Sequence, residues 1–247
     1  MFLYEELNNT AMVKTMAFTE LSEIILIVFL ISLVVNLVGE YLINGNHKSK
    51  YVVLRYISKP LLMVLLIGLY STAVPTLVWF VIFALGFGWI GDIFLMFDHK
   101  SNFYLLGSGA FLLGHISYIL DYSLTFGNIA SFPLWRLILY LPVLLVFFLY
   151  AFPRINGRMK GKEKPVTMIY GLFLLLMALA TLFRLPAVDI LDPTFLYVWL
   201  GALLFVASDA ILAVDRFHKR ISRAMVLIMS TYAIGQFLIV YGLILLG

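Results

Sequence analysis

Long apolar runs separated by short polar connectors fill almost the whole sequence. Eight runs can be counted, each of about 18 to 25 residues, enough to cross a hydrocarbon core of roughly 30 Å as an α-helix. They lie at about 21–43, 52–70, 76–97, 103–121, 133–151, 166–184, 194–214 and 224–246, and are numbered here in chain order. The strand-like alternation of a transmembrane barrel is absent. The pattern predicts an all-α membrane protein, one polytopic domain over residues 1–247 with eight transmembrane helices.

Composition narrows the class further. The chain is 63% hydrophobic and 12% charged, and its mean hydropathy is +1.04, far from the composition of a soluble domain. It contains no cysteine, which excludes disulfides, thiolate catalysis and Cys-ligated metals. The first 20 residues carry Glu5, Glu6 and Glu20 against a single Lys14, so no removable signal peptide is predicted.

Basic residues are concentrated in the connectors that follow the odd-numbered helices. They are Lys48, Lys50, Lys100, Arg154, Arg158, Lys160, Lys162, Lys164, Arg216, Lys219, Arg220 and Arg223. The other side holds little beyond Lys14, Arg136 and Arg184. The positive-inside rule then places the odd connectors in the cytoplasm and both the N- and C-termini on the non-cytoplasmic side. This topology, with attraction to anionic lipids, explains the basic connectors better than nucleic-acid binding does.

One spacing recurs among the polar positions within the helices. Asp92 and Asp209, Asp98 and Asp215, and His115 and Tyr232 are all 117 residues apart. With a gap, "KPLLM" at 59–63 also lines up with "KPVTM" at 164–168. Matching helix 3 to helix 7 and helix 4 to helix 8 predicts a parallel 4+4 repeat, which favours a working site at the junction of the repeats. Chance agreement between two membrane segments is the alternative.

Ionisable residues inside the predicted helices are the candidates for function. Each costs roughly 2.5 to 3.5 kcal/mol on insertion scales, so such groups face one another or a wet cavity. Helical rise places Asp92 and Asp209 about 9 Å from the cytoplasmic ends of helices 3 and 7. Lys59, Tyr232 and His115 lie about 11, 13 and 18 Å in. These residues are therefore predicted to share one layer in the cytoplasmic half of the bilayer.

The helix faces agree with these depths. Ser108, Phe111, His115 and Tyr118 form one stripe of helix 4, while Tyr232 and Gln236 share a face of helix 8. Six glycines are expected to let the backbones of helices 3 and 4 approach closely around this layer: Gly86, Gly88, Gly91, Gly107, Gly109 and Gly114.

Each of these residues also has a purely structural explanation. Asp92 could simply neutralise Lys59, and Asp209 with Ser208 could be an interhelical hydrogen-bonding pair. His115 could be a packing residue, and the remaining polar residues, Tyr118, Tyr170, Tyr232 and Gln236, could be interhelical contacts. Glu40 is expected at the interface, and Asp98, Asp215 and Arg216 are expected to be solvated or bound to headgroups.

Proton transfer is the chemistry that these residues suit. No glycine-rich phosphate loop, HExxH, GxSxG or CxxC occurs, so no metal and no cofactor is predicted. Crowded carboxyl groups share a proton, and a nearby lysine keeps one of them ionised. One acid can then donate a proton while the other accepts one.

Five segments together resemble the YhhN-like lysoplasmalogenase family: "SKPLLM" (58–63), "GWIGDIFLMF" (88–97), "GSGAFLLGHISY" (107–118), "GALLFVASDAILA" (201–213) and "YAIGQFLIVYG" (232–242). The resemblance covers helices 2 to 8. It implies a site formed by Lys59, Asp92, His115, Tyr118, Tyr170, Ser208, Asp209, Tyr232 and Gln236.

The activity that this resemblance implies is hydrolysis of the vinyl ether bond of lysoplasmalogens, which yields a fatty aldehyde and glycerophosphocholine or glycerophosphoethanolamine. One of Asp92 and Asp209 would be the general acid, and the other would stabilise the cation and take a proton from water. Lys59 would hold one acid ionised or bind the lipid phosphate. The expected partners are a lysophospholipid and membrane lipids, in an inner membrane if the source is prokaryotic or the endoplasmic reticulum if it is eukaryotic. Headgroup preference, chain preference and oligomeric state stay open.

Two other functions compete with this hydrolase. A small proton-coupled transporter would also combine a parallel repeat with acids inside the membrane. The off-centre polar layer, and the lack of a matching polar path towards the outer face, favour the enzyme. A lipid-binding protein without turnover is the other alternative.

Overall fold

The computed structural model describes residues 19–43, 49–97, 101–124, 132, 134–184 and 192–246. Within these ranges the chain forms helical segments and no strands. They are α1 (Glu20–Ile43), α2 (Val52–Ala73), α3 (Trp79–Leu95), α4 (Ser101–Leu124), α5 (Leu134–Asn156), α6 (Glu163–Phe183), α7 (Pro193–Phe217) and α8 (Ala224–Leu246). Seven are long and apolar enough to cross a membrane, and α3 is shorter, at 17 residues. The chain is therefore an all-α, multi-pass membrane protein, while the count of eight spans stays a prediction.

Helix α5 is irregular along most of its length. A 3₁₀ stretch over Leu134–Tyr140 passes through one α-helical turn into a π-helical stretch, Val146–Ala151, before a last α-helical turn ends at Asn156. Two prolines, Pro142 and Pro153, fall within the segment. Because proline lacks an N–H and clashes with the carbonyl four residues earlier, regular α-helical hydrogen bonding cannot run through α5.

The two most extensive helix pairings are α3 with α4 and α7 with α8. Glycine lets the backbones meet in both pairs. A Cβ on Gly114 would lie 3.1 Å from the carbonyl oxygen of Ala84, and one on Gly201 would lie 2.6 Å from that of Gly235. A Cβ on Gly86 or Gly109, also expected at such contacts, would meet nothing within 4 Å. The predicted repeat matches these two helix pairs to each other, although the repeat itself stays a prediction.

Replacing Gly201 with alanine should destabilise the bundle. The new methyl would press on a backbone carbonyl, which cannot rotate away, so α7 and α8 would have to separate. We expect the free energy of unfolding to fall by about 1 to 3 kcal/mol, measured by denaturation in detergent. Gly86→Ala, where the methyl meets open space, is the matched control. Equal stability of the two variants would contradict the close packing of α7 and α8.

Polar contacts join α1 to α2 near the end of α1. Asn36 donates to Ser58 Oγ at 2.9 Å, and Arg55 donates through two nitrogens to both carboxylate oxygens of Glu40. Glu40 is 1% exposed, so it lies inside the bundle, and its expected depth at the membrane interface stays a prediction. The carboxylate is buried because a bidentate arginine from the next helix supplies both charge and hydrogen bonds.

The end of α7 is also less solvated than expected. Asp215 is buried, and it accepts from Arg220 at 2.8 Å and from the backbone N–H of Ile221 at 2.6 Å. The Arg216 guanidinium lies 3.8 Å from the centre of the Tyr104 ring. The expectation that Asp215 is solvated is therefore wrong, because the connector to α8 folds back over it. Arg216 is half-buried, and its binding to a headgroup stays a prediction. Asp98, expected to behave likewise, lies outside the described residues.

Candidate active site

A cavity of about 1110 Å³ occupies one end of the bundle, the end at which α2, α4, α6 and α8 begin. We call this the basic end, because the basic connectors that the structure describes, 157–162 and 218–223, lie there. Side chains from all eight helices line the cavity. Pockets for small ligands are usually about 300 to 1,000 Å³, so this one can hold a molecule of lipid size.

Asp92 is the carboxyl group with the fuller set of partners. The Lys59 ammonium lies 3.3 Å from Oδ1, and the Tyr232 hydroxyl donates to Oδ2 at 2.8 Å. Asp92 and Lys59 are 2% and 5% exposed. Pairing of this kind is what a buried carboxylate requires, since an unpaired buried charge is costly. Helices α2, α3 and α8 thus meet at one carboxyl group.

Asp209, on α7, has a different environment. Tyr170 from α6 donates a hydrogen bond to its Oδ2. Among the described residues, no lysine or arginine lies within ion-pair distance of Asp209. The residue is half-buried on the cavity wall, where a ligand can reach it. The two carboxyl groups line the same cavity, yet in the described part of the chain only Asp92 has a cationic partner.

Six of the nine predicted site residues line the cavity: Lys59, Asp92, Tyr170, Ser208, Asp209 and Tyr232. The other three, His115, Tyr118 and Gln236, are not among the lining residues. Ser208 donates to the backbone carbonyl of Ile228 at 3.0 Å, so it ties α7 to α8.

His115 is buried behind the cavity wall. Its ring centre lies 5.2 Å from that of Tyr170 and 5.0 Å from that of Phe205. Neither ring nitrogen has a hydrogen-bond partner within the described part of the chain. The imidazole therefore packs against Tyr170, the residue that donates to Asp209. Farther along α4, the Tyr118 hydroxyl donates to Gln236 Oε1 at 2.7 Å.

Aromatic packing fixes the position of Tyr232. The Phe111 and Phe205 rings contact it edge-on, with ring centres 5.9 and 5.2 Å away. The Tyr232 hydroxyl also lies 3.4 Å from the sulfur of Met63. Packing of the ring by two aromatic neighbours keeps its hydroxyl directed at Asp92.

The rim of the cavity contains residues that sequence reasoning did not assign to the site. Arg55, Arg216, Arg220 and Arg223 all line the cavity at the basic end. In the sequence, these arginines are indicated by the excess of basic residues in this part of the chain. Membrane topology alone explains that excess equally well. In the described part of the chain, no group of three or more His, Asp and Glu side chains could hold a metal ion.

These features define a class: a multi-pass helical membrane protein whose cavity combines two carboxyl groups with a basic rim. The sequence model of the YhhN family matches residues 54–243, and the chain therefore belongs to the YhhN family. The match extends from α2 into α8 and includes all the predicted site residues, so the resemblance stated from the sequence is confirmed at the level of the family. No curated protein and no solved structure matches the chain.

Proposed function

We propose that the protein hydrolyses the vinyl ether bond of lysoplasmalogens, releasing a fatty aldehyde and glycerophosphocholine or glycerophosphoethanolamine. The observation that carries this proposal is the unequal pair of carboxyl groups on one cavity wall, Asp92 with a lysine and Asp209 without a cation. Membership of the YhhN family, which is linked to lysoplasmalogenase activity, supports the choice of substrate.

The different partners of Asp92 and Asp209 indicate which residue is the general acid and which is the general base. A carboxyl group in an apolar setting without a cation is more stable with its proton, and this makes Asp209 the general acid. Lys59 stabilises Asp92 as a carboxylate, which makes Asp92 the general base. Tyr170, which donates to Oδ2 of Asp209, leaves Oδ1 to carry the proton.

The reaction then balances over three steps. Asp209 transfers its proton to the outer alkene carbon, and an oxocarbenium ion forms at the carbon bonded to oxygen. Water adds to that carbon while Asp92 takes one of its protons, which gives a hemiacetal. As the hemiacetal collapses, Asp92 returns the proton to the departing glycerol oxygen, and the hemiacetal hydroxyl gives its proton to Asp209. The products are an aldehyde and an alcohol, with both acids restored.

The direct test is product analysis with purified protein in detergent micelles. We expect mass spectrometry to find a fatty aldehyde and a water-soluble glycerophosphoester from lysoplasmalogen. The saturated 1-alkyl analogue should stay intact, because it has no double bond to protonate. Absence of aldehyde from well-folded protein would refute the proposal.

Removing the Tyr170 hydroxyl should slow turnover without preventing folding. A hydrogen bond to a charged or charge-developing group is worth about 1.5 to 3 kcal/mol, so Tyr170→Phe is expected to lower kcat about tenfold to a hundredfold. Tyr104→Phe is the matched control, since Tyr104 also lines the cavity but hydrogen-bonds Thr167 at 2.8 Å. If the two variants lost equal activity, Tyr170 would have no special role at Asp209.

Transport is the second candidate, and one observation favours it. Tyr118 lies between Gln236 and Tyr122, whose ring it stacks on with centres 5.8 Å apart. The Arg184 guanidinium lies 5.3 Å from the centre of the Tyr122 ring, and Asp121 beside it is also buried. Buried polar groups thus continue along α4 beyond the site, as a transporter would need. Proton uptake into liposomes on addition of lysophospholipid, without aldehyde, would favour a transporter.

The membrane setting is part of the same proposal. The basic connectors support a cytoplasmic position for the basic end, which would put the site in the cytoplasmic half of the bilayer. We propose an inner-membrane protein in a prokaryote or an endoplasmic reticulum protein in a eukaryote.

A further inference from the structure

The charged residues on the cavity wall are mostly paired with one another. Three ion pairs lie entirely on the wall: Arg55 with Glu40, Lys59 with Asp92, and Arg220 with Asp215. Arg216 pairs at 3.1 Å with Glu163, which is not among the lining residues. Of the charged residues that line the cavity, Asp209 inside it and Arg223 at its rim have no ion-pair partner in the described part of the chain.

Arg223 has no carboxylate within ion-pair distance in the described part of the chain. Its guanidinium lies over the ring of Tyr41, 4.1 Å from the ring centre. A guanidinium on an aromatic face keeps its N–H donors, which point outward in its own plane, for another acceptor. Arg220 beside it has an 86% exposed side chain and uses only one nitrogen on Asp215. The rim therefore offers several N–H donors and excess positive charge.

We propose that Arg220 and Arg223, with Arg216 on the same cavity wall, bind the phosphate group of a single-chain phospholipid at the rim of the cavity. The hydrocarbon chain then runs along the apolar wall between α5 and α6, which Phe147, Phe148, Leu172 and Leu175 supply. This inference rests on the proposed function, because it names the part of that substrate which fixes its orientation. Arginine suits the role, since its planar fork matches phosphate oxygens.

The dimensions of such a lipid fit the distance between the rim and the acid. Seven residues of α7 separate Asp209 from Arg216, a rise of about 10.5 Å along the helix. In a 1-alkenyl glycerophospholipid, seven bonds separate the phosphorus from the outer alkene carbon. With bonds of about 1.3 to 1.5 Å, bent at each atom, this path spans about 9 Å. A phosphate held at the depth of Arg216 thus brings the carbon to be protonated to the depth of Asp209.

Membrane topology is the competing explanation for these arginines. A comparison with Lys219 distinguishes that explanation from a phosphate site. It lies beside Arg220, is exposed and is not among the residues that line the cavity. General attraction to anionic lipid depends on net charge near the surface, so it treats Lys219 and Arg223 alike. A phosphate site on the cavity wall requires Arg223 and not Lys219.

The test is equilibrium binding to purified protein in neutral detergent micelles, with two ligands that the enzyme cannot cleave. One is a 1-alkyl lysophosphatidylcholine, and the other is the 1-alkylglycerol of the same chain. We expect the phospholipid to bind at least about tenfold more tightly to the wild type, and Arg223→Gln to weaken it about tenfold without changing the alkylglycerol. Lys219→Gln should change neither, and inorganic phosphate at the same concentration should not displace the phospholipid.

Equal effects of Arg223→Gln and Lys219→Gln would overturn the inference, as would equal effects of Arg223→Gln on both ligands. Displacement by inorganic phosphate alone would mean that the site takes the free anion, and would overturn the lipid assignment. If Arg223→Gln does not fold, Arg220→Gln gives the same comparison. Because the ligands are not cleaved, this experiment measures binding independently of hydrolysis. A failure of the phosphate site can therefore be distinguished from a failure of the proposed function.

Discussion

Replacing Asp209 with asparagine is expected to reduce aldehyde release about a hundredfold to ten-thousandfold, the range that a positioned general acid contributes. Asparagine keeps the shape of the side chain and an oxygen that can accept the hydrogen bond from Tyr170. It has no acidic proton to give to the alkene carbon. The rate is measured under saturating lysoplasmalogen, so that kcat, and not binding, is compared.

A matched control for Asp209→Asn is available in the same bundle. Asp121 on α4 is a buried carboxyl group, 6% exposed, and it is not among the residues that line the cavity. Asp121→Asn changes the same atoms and should leave kcat within about threefold of the wild type, since it removes no proton donor from the site. A folded Asp209→Asn variant that hydrolyses at the wild-type rate would refute the assignment of the acid.

Replacing Asp92 with asparagine should have the second-largest effect on turnover, and it should also lower the stability of the protein. Loss of the base should lower kcat about a hundredfold or more. Removing one partner of a buried ion pair leaves the Lys59 ammonium uncompensated 3.3 Å away, which typically costs about 3 to 5 kcal/mol of folding free energy. Turnover and thermal stability in detergent are measured on the same preparations.

The double variant Lys59→Met, Asp92→Asn separates catalysis from structure. Removing both charges should recover much of the stability, because no unpaired ion is left in the bundle. Activity should stay low, since the base is still missing. Recovery of activity together with stability would mean that the pair only holds α2 and α3 together, which is the structural alternative that the sequence left open.

The meeting of Asp92, Lys59 and Tyr232 illustrates what a membrane sequence can predict. Helical rise is constant and the bilayer fixes where helices begin, so residues at similar depth on different helices can be paired from the sequence. Contact between the three residues in the structure accords with those depths. Their catalytic role stays a prediction.

Other contacts depend on how each helix is rotated about its axis, which its neighbours decide. The sequence offered Ser208 and Asp209 as an interhelical hydrogen-bonding pair without indicating their partners. In the structure Asp209 accepts from Tyr170 on α6, whereas Ser208 donates to α8. Nothing in α6 singles out Tyr170 except the family resemblance. The 117-residue spacing treated Asp92 and Asp209 as equivalent, and the structure gives a lysine to only one of them.

Hydrolysis in heavy water tests the central claim, proton transfer from Asp209 to carbon, most directly. Purified protein is incubated with lysoplasmalogen in deuterium oxide, and the aldehyde is trapped at once for mass spectrometry. The mechanism predicts one deuterium on the carbon next to the carbonyl, formed by the wild type and almost absent with Asp209→Asn. Aldehyde without deuterium, or labelled aldehyde formed equally fast by Asp209→Asn, would contradict it.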